Sequence, residues 1–166
     1  GVQTCALPIC ATNGYVSNPT WGNHISLFEH AGLAVEKYPY YNPETHAVDT
    51  QVFFDYLSKL APKSIVLLHG CCHNPTGADL SKEDWQTVLE IVQERDLIPF
   101  VDMAYQGFGE GLEEDPYGIR LLAEAKVNFF AATSCSKNFG LYGERTGALH
   151  LVSSSAEEAK IGRAHV

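Results

Sequence analysis

Short apolar runs alternate along the chain with segments whose apolar residues recur three and four positions apart. Between two of these runs, Phe53, Tyr56, Leu57 and Leu60 follow the spacing of one helix face. The pattern therefore predicts strands that alternate with amphipathic helices. The runs of strand length occupy residues 14–18, 33–38, 64–69, 97–101, 127–133 and 147–152.

Residues that start and end helices border several of these segments. Asp49 can cap the helix that follows it, and Ser81 with Asp84 three residues later is close to a capping box. Gly32 is expected to end a short helix that starts near residue 23. The remaining expected features are a turn at 40–43, a helix at 119–125 and a helix from residue 153 onward.

The order of predicted elements from residue 33 onward is strand, helix, strand, helix, strand, helix, strand. This alternation predicts a three-layer α/β fold with a mostly parallel sheet, right-handed crossovers and helices on both faces. We expect one domain over residues 10–160, because 166 residues suit a single domain. Residues 1–9 and 161–166 show no capping pattern and do not fit the neighbouring segments, so we expect non-native ends there.

Composition and charge narrow the class of protein. Apolar residues make up 45% of the chain and charged residues 19%, which is ordinary for a soluble globular protein. The formal net charge of -9 argues against nucleic-acid and anionic-membrane partners, and no apolar stretch approaches the ~20 residues that cross a bilayer. The five cysteines, with Cys71 and Cys72 adjacent, do not form a spaced disulfide framework. We therefore expect reduced thiols and a cytoplasmic location.

The segment from Ser134 to Arg145 follows a predicted buried strand directly and contains one lysine, Lys137. A lysine amine becomes a nucleophile, able to form an imine, when its site lowers its pKa. Ser134, Ser136 and Arg145 are donor types that bind phosphate. The ordinary alternative is an exposed lysine and arginine on a polar loop, which is the more common case for such a loop taken alone.

Unusual polar loops follow three of the predicted strands. In parallel sheets, ligands bind outside the carboxyl ends of the strands. If these strands are neighbours, five chemically useful side chains share one rim of the sheet. The five are Asn74, Asp102, Tyr105, Lys137 and Arg145.

Each of these side chains also has a purely structural interpretation. Asn74 with Pro75 can be only a turn, and Asp102 can cap a helix, although a carboxylate at the end of an apolar strand is costly to bury unpaired. Tyr105 and Trp21 can simply cover edges of the core.

The histidines and cysteines leave two further alternatives open. His24, His69 and His73 can be packed neutral histidines or, with Cys71 and Cys72, a metal site. Structural zinc sites use ligands paired two to four residues apart in two groups, so we expect no metal.

Taken together, these residue types suit one kind of cofactor site. A lysine that forms an imine, an acid that keeps a pyridine nitrogen protonated, and an arginine with serines for a phosphate are the parts that pyridoxal phosphate needs. A tyrosine and an asparagine can donate to the phenolic oxygen of the ring, and an aromatic side chain can stack on its face.

Four motifs of this chain resemble the class I aminotransferases of fold type I, in the branch of aspartate and aromatic-amino-acid enzymes. They occur in order and with suitable spacing between about Tyr15 and Val152. The resemblance implies that residues 10–160 are the central part of the large domain that binds pyridoxal phosphate. The motifs are SNPTWGNH at 17–24, HGCCHNPTG at 69–77, DMAYQGF at 102–108 and SCSKNFGLYGERTG at 134–147.

The resemblance implies a role for residues in all four motifs. Lys137 would carry the covalent bond to the cofactor and transfer the proton at the substrate Cα. Asp102 would pair with the pyridine nitrogen, with His24 supporting it from behind. The cofactor phosphate would be held by Ser134, Ser136 and Arg145.

The remaining implied contacts involve the ring and the substrate. Asn74 and Tyr105 would bond the phenolic oxygen of the ring, and Trp21 would stack on its face. Trp21 and Asn74 would also contact the substrate. Cys135 lies where this branch often has an aromatic residue, which we interpret as a tolerated difference.

The function implied is transfer of an amino group between an aspartate-like or aromatic amino acid and 2-oxoglutarate, with a slight preference for the aromatic subgroup. A homodimer is expected for the full-length protein. Family members are more than twice as long and contribute further substrate-binding residues, so we expect this chain to be inactive alone. The alternative is a non-catalytic phosphate- or nucleotide-binding α/β module in which Lys137 only pairs with an anion.

Overall fold

The computed structural model describes residues 13–153. The predicted non-native ends, 1–9 and 161–166, and the helix expected after residue 153 lie outside this range. No helix within it is both long and apolar enough to cross a membrane. The strands are β1 (Asn13–Asn18), β2 (Ala34–Pro39), β3 (Tyr41–Asn42), β4 (Ala47–Val48), β5 (Ile65–His69), β6 (Ile98–Met103), β7 (Phe129–Ser134) and β8 (Gly147–Val152), and the helices are α1 (Gly22–His30), α2 (Thr50–Leu57), α3 (Lys82–Arg95) and α4 (Tyr117–Glu124).

Six strands form one sheet in the order β2-β1-β5-β6-β7-β8. The first five are parallel, and β8 pairs antiparallel with β7. The prediction of a mostly parallel α/β sheet is therefore confirmed. Since β5, β6 and β7 are neighbours, their carboxyl ends and the loops that follow them meet at one edge.

The two faces of the sheet have different cores, because successive strand residues point to opposite sides. Val66 and Leu68 belong to a large core on the face that α2, α3 and α4 cover. Leu67, between them, belongs to a smaller core on the opposite face, where Phe28 of α1 packs. Helices thus lie on both faces, as predicted, but within the described residues only α1 covers the second one.

The expected helix starts of α2 and α3 are confirmed. The Asp49 side chain accepts a hydrogen bond from the backbone N–H of Val52. At α3 both bonds of the capping box are present: Ser81 Oγ accepts from the Asp84 N–H at 3.1 Å, and Asp84 Oδ2 accepts from the Ser81 N–H at 2.9 Å. An aspartate at the third helical position therefore performs the role that glutamate more often has.

The turn predicted at 40–43 is partly wrong, because Tyr41 and Asn42 form β3, which pairs antiparallel with β4. The chain instead reverses at residues 43–46, where Asn42 Oδ1 accepts a hydrogen bond from the N–H of Glu44 and His46 takes a positive φ of 55°. Strands of two residues are too short to show alternation of apolar and polar positions. The sequence pattern therefore could not reveal this hairpin.

Candidate active site at the carboxyl ends of the strands

A cavity of about 280 Å³ lies at the edge where β5, β6 and β7 end. It contains all five side chains that the sequence placed on a common rim. Trp21, Ser134 and Ser136, also predicted, line it as well. The complete lining is Trp21, His69, Cys71, Asn74, Asp102, Ala104, Tyr105, Ser134, Ser136, Lys137, Tyr142 and Arg145.

Asp102 lies near the end of β6 and is held from behind by a buried histidine. His24 Nε2 lies 2.9 Å from Asp102 Oδ2, and His24 Nδ1 lies 2.9 Å from the Thr20 hydroxyl. His24 is only 4% exposed, whereas the Asp102 side chain is 21% exposed and lines the cavity. Because an ionised carboxylate only accepts hydrogen bonds, His24 donates through Nε2. The pair therefore keeps a carboxylate oriented towards the cavity.

Two further histidines stay neutral: His73 is buried behind the cavity, and His69 lines it. His73 contacts the Ser17 hydroxyl through Nε2 at 2.9 Å and the Thr76 hydroxyl through Nδ1 at 2.7 Å. Burial, followed by the nearby His24, lowers the pKa of His73 to about 4. Burial, followed by repulsion from His73 and His24, lowers the pKa of His69 to about 2. Both imidazoles are therefore uncharged at neutral pH.

His69 is the unusual member of this group. Its two ring nitrogens are buried, and neither has a hydrogen-bond partner among the described residues. Ligand atoms of His24, His69 and Asp102 lie within 4.8 Å of one another, the one such group found in residues 13–153. The metal alternative raised from the sequence joined the histidines to Cys71 and Cys72, and this group includes neither. His24 and Asp102 already bond each other directly.

The loop after β5 holds Asn74 in place through backbone hydrogen bonds to a carboxylate. Asp79 accepts from the N–H of Cys72 at 2.6 Å and from the N–H of His73 at 2.7 Å. The N–H of Gly77 donates to the His73 carbonyl at 2.7 Å and closes the loop. Asn74 therefore projects into the cavity from a loop whose backbone is fixed on both sides.

Tyr105 and Lys137 face each other across the cavity. The ammonium Nζ of Lys137 lies 4.7 Å from the centre of the Tyr105 ring, a distance at which a cation is attracted by an aromatic face. Lys137 lies three residues beyond β7, and no ion pair forms between it and an acidic side chain in the described part of the chain. Its amine is therefore directed at the cavity rather than paired elsewhere.

The phosphate-type donors lie at the end of β7 and on the loop after it. Ser134 Oγ accepts a hydrogen bond from the N–H of Ser136 at 3.1 Å, and Ser136 is buried. Arg145 is exposed, has a positive φ of 51° and donates from Nη1 to the Tyr142 carbonyl at 3.3 Å. Trp21 is 42% exposed, with its ring edge-on to His24.

Sequence reasoning missed several residues of the site. Tyr142 lies inside a quoted motif but received no role, and it lines the cavity together with His69 and Cys71. Thr20, which bonds His24, could have been found from its position four residues earlier in the chain. Among residues 13–153, Asp79 accepts hydrogen bonds from two backbone N–H groups, and no side-chain pattern signals such a role.

Comparison with known proteins agrees with this geometry. A family model described as "Aminotransferase class I and II" matches residues 4–166. The chain is 50% identical over 145 residues to the aromatic-amino-acid aminotransferase of Escherichia coli K12. It is 47% identical over 144 residues to the aspartate aminotransferase of Pseudomonas aeruginosa. Each of the two matches covers 87% of this chain and 36% of the relative.

A solved structure is similarly close. The chain matches the aromatic-amino-acid aminotransferase from Burkholderia pseudomallei, covalently bound to pyridoxal phosphate, with a TM-score of 0.88 and 46% identity. The match covers 91% of this chain and 38% of that one. The chain thus spans little more than a third of the length of these relatives. These matches give no support to the alternative of a non-catalytic phosphate- or nucleotide-binding module.

Proposed function

The chain belongs to the class I and II aminotransferases, and we propose that it forms the cofactor-binding core of a transaminase that uses pyridoxal phosphate. The substrates proposed are an aspartate-like or aromatic amino acid and 2-oxoglutarate. Relatives named for each of the two amino-acid classes match it at similar identity, so the choice between them is left to experiment. One observation carries the proposal: Lys137, Asp102, Asn74, Tyr105 and Arg145 line one cavity.

The donor set of this cavity fits the cofactor group by group. Lys137 offers an amine for the aldehyde, and Asp102 offers an anion for the ring nitrogen. Arg145, with Ser134 and Ser136, offers the charge-assisted and neutral donors that a phosphate requires. When bound, pyridoxal phosphate supplies an aldehyde that condenses with amines and a ring that withdraws electrons from the substrate Cα.

Asp102 and His24 hold a proton at the ring nitrogen in this proposal. The bond between His24 Nε2 and Asp102 Oδ2 fixes the carboxylate, and an anion beside a pyridine nitrogen favours its protonated form. His24 is itself fixed by Thr20. The orientation is therefore set before any ligand enters.

The other residues position the reacting groups. Asn74 and Tyr105 would donate to the phenolic oxygen of the ring, and the Trp21 side chain would cover one ring face. Trp21 and Asn74 would also contact the substrate. Lys137 Nζ would move the proton at the substrate Cα. A nearby amine suits this task when its pKa approaches the working pH.

Cofactor binding is tested on the 166-residue chain. Adding pyridoxal phosphate is expected to produce a near-visible absorption band. Borohydride reduction of the imine should abolish that band and leave the cofactor covalently attached to the peptide that contains Lys137. Lys137→Ala should abolish the band, whereas Lys59→Ala, which removes an exposed lysine at the end of α2, should leave it. A band that persists in Lys137→Ala contradicts the proposal.

Turnover is tested in two settings. We expect no transaminase activity from the chain alone, so detectable turnover by a purified preparation would contradict that prediction. A chimera in which residues 13–152 replace the aligned segment of the Escherichia coli relative supplies the remaining sequence. Assays of this chimera with aspartate and with tyrosine should show activity that Lys137→Ala removes.

Assembly and location complete the proposal. We propose a homodimer for the full-length protein, which sedimentation of the chimera tests, and a cytoplasmic location. The location rests on the free thiols of Cys71, Cys72 and Cys135, since unpaired cysteines are usual in reducing compartments.

A further inference from the structure

The loop that follows β6 is tied to one carboxylate. Asp115 Oδ2 accepts from the N–H of Gly107 at 2.7 Å and of Gly109 at 3.1 Å. Asp115 Oδ1 accepts from the N–H of Glu110 at 2.7 Å and of Gly111 at 3.2 Å. Backbone N–H groups of one loop that converge on one anion form a compact and strongly polarised arrangement.

This carboxylate is buried and is balanced by the backbone rather than by a cation. Asp115 is 7% exposed, and no lysine or arginine of the described residues forms an ion pair with it. Burial raises its pKa, but the four N–H bonds outweigh burial and hold the pKa below its ordinary value. Asp115 is therefore ionised at neutral pH, and the loop conformation depends on it.

The loop whose N–H groups bond Asp115, residues 107–111, begins two residues after Tyr105. On the strand side, Asp102 pairs with His69 in the sheet, and its carbonyl accepts the N–H of Gly70 at 2.8 Å. On the loop side, the N–H of Gly107 is fixed by Asp115, and Gly107 has a φ of 96° that favours glycine. Tyr105 thus lies on a short bridge between two fixed points.

Local bonds complete the bridge. The N–H of Phe108 donates to the Tyr105 carbonyl at 3.0 Å, and the Gln106 side chain donates to the Leu112 carbonyl at 3.0 Å. A shift of the Gly107 backbone would therefore move Tyr105 directly, since these contacts couple the two. The Tyr105 ring is the one that faces Lys137 Nζ.

We propose that Asp115 is a positioning residue that fixes the Tyr105 side chain against the cofactor. This inference rests on the proposed function, in which the Tyr105 hydroxyl donates to the phenolic oxygen of the ring. A hydrogen bond donated to the phenolic oxygen makes that oxygen a weaker acceptor for the proton at Lys137 Nζ. The pH at which the bound cofactor changes its absorbance is therefore lowered. Displacing Tyr105 should raise that pH.

The first test follows the absorbance of the chain loaded with pyridoxal phosphate as a function of pH. Tyr105→Phe should raise the titration midpoint, and Asp115→Asn should raise it by at least half as much. In the Tyr105→Phe background, Asp115→Asn should add nothing further. Glu114→Gln, which neutralises the exposed neighbouring carboxylate, is the matched control and should leave the midpoint unchanged.

A purely structural role predicts a different pattern. The proposal is overturned if Asp115→Asn has the same titration midpoint as the original chain. It is also overturned if Asp115→Asn adds its full shift in the Tyr105→Phe background. Asp115→Glu keeps the charge and lengthens the side chain, so it should give a smaller shift than Asp115→Asn. A larger shift in Asp115→Glu also overturns it.

The second test does not need the cofactor or a variant. By amide hydrogen exchange on the original chain, the N–H groups of Gly107, Gly109, Glu110 and Gly111 should exchange at least tenfold more slowly than that of Gly143. Equal rates overturn the proposal even if no Asp115 variant folds. If no absorption band forms at all, the proposed cofactor fails, while the exchange rates still decide whether Asp115 holds the loop.

Discussion

The loops that line the candidate site form two walls that are held in place differently. The loops after β5 and β6 form the fixed wall, and the loop after β7 forms the exposed wall. The loops after β5 and β6 are tied to carboxylates: Asp79 accepts two backbone N–H groups and Asp115 accepts four. The loop after β7, residues 135–146, is exposed over most of its length and carries the cations. The side chains proposed to orient the ring thus lie on fixed loops, whereas the charges proposed to bind its phosphate lie on an exposed one.

The two walls differ because the carboxylates and the arginine have different hydrogen-bond partners. A carboxylate bonded by several N–H groups is satisfied within the protein and stabilises the loop that provides them. The Arg145 guanidinium has five N–H donors, and it gives one hydrogen bond, to the Tyr142 carbonyl, within the described residues. The site therefore separates orientation, which is built into the fold, from charge neutralisation, which an anionic ligand provides.

Replacing Arg145 tests the exposed wall and should have the largest effect. Arg145→Gln should weaken pyridoxal phosphate binding to the chain by about 10- to 140-fold, because a charge-assisted hydrogen bond contributes about 1.5 to 3 kcal/mol and 1.4 kcal/mol is tenfold. The melting temperature without cofactor should move by less than about 1 °C, since exposed side chains contribute little to stability. Absorbance titration and thermal unfolding measure the two quantities.

The matched control for this change is Arg120→Gln. Arg120 is a half-exposed arginine that bonds the Glu113 carbonyl and does not line the cavity. Its replacement should leave the affinity for pyridoxal phosphate unchanged. If Arg145→Gln lowered the melting temperature by much more than about 1 °C, the loop after β7 would contribute to stability and the two walls would not differ in the way described.

Lowering the pH should weaken the fixed wall and leave the exposed one unaffected. The folded pKa values of His69 and His73, about 2 and about 4, lie below the ordinary value near 6.5. Their stabilising contribution is therefore fully present above pH 6.5 and is lost as the pH falls towards the folded values. Each can add a slope of up to about 1.4 kcal/mol per pH unit to the free energy of unfolding. Urea unfolding between pH 8 and pH 5 measures it.

Variants separate these histidines from other titrating groups. His73→Asn should flatten the dependence on pH, because one buried neutral imidazole is removed. His30→Gln, which removes an exposed histidine at the end of α1, is the comparison variant. If the unfolding free energy of the original chain and of His73→Asn had the same slope against pH, His73 would not be a source of the pH dependence.

The sequence was sufficient where a feature depends on consecutive side chains. β5 is an apolar run bounded by turn residues, and the rule that ligands bind at the carboxyl ends of parallel strands correctly grouped Asn74 and Lys137 in one cavity. It was not sufficient where partners are backbone groups. The bonds that Asp79 and Asp115 accept from loop N–H groups depend on a chain path that no residue pattern encodes.

Replacing Asp79 should have a moderate effect on stability. In Asp79→Asn the amide oxygen can accept from one N–H of Cys72 or His73, but the NH₂ group then faces the other donor. The loss should be about 1 kcal/mol of unfolding free energy, because the site is exposed and water can replace part of the bond. Chemical unfolding measures it. Asp55→Asn, an exposed aspartate bonded by the Gln51 side chain, should change it by less than half as much.

Replacing Ser134 should have the smallest effect. It tests with a single substitution whether cofactor affinity and folding stability change independently. Its hydroxyl accepts the Ser136 N–H on the exposed loop, so Ser134→Ala should change the unfolding free energy by less than about 0.5 kcal/mol. The affinity for pyridoxal phosphate should fall by about 2- to 12-fold, since a hydrogen bond from an uncharged donor contributes about 0.5 to 1.5 kcal/mol. Ser58→Ala deletes a hydroxyl that bonds the Phe54 carbonyl at the end of α2 and should leave the affinity unchanged. A Ser134→Ala variant that is destabilised more than Asp79→Asn would mean that the β7 loop is as much part of the folded scaffold as the β5 loop.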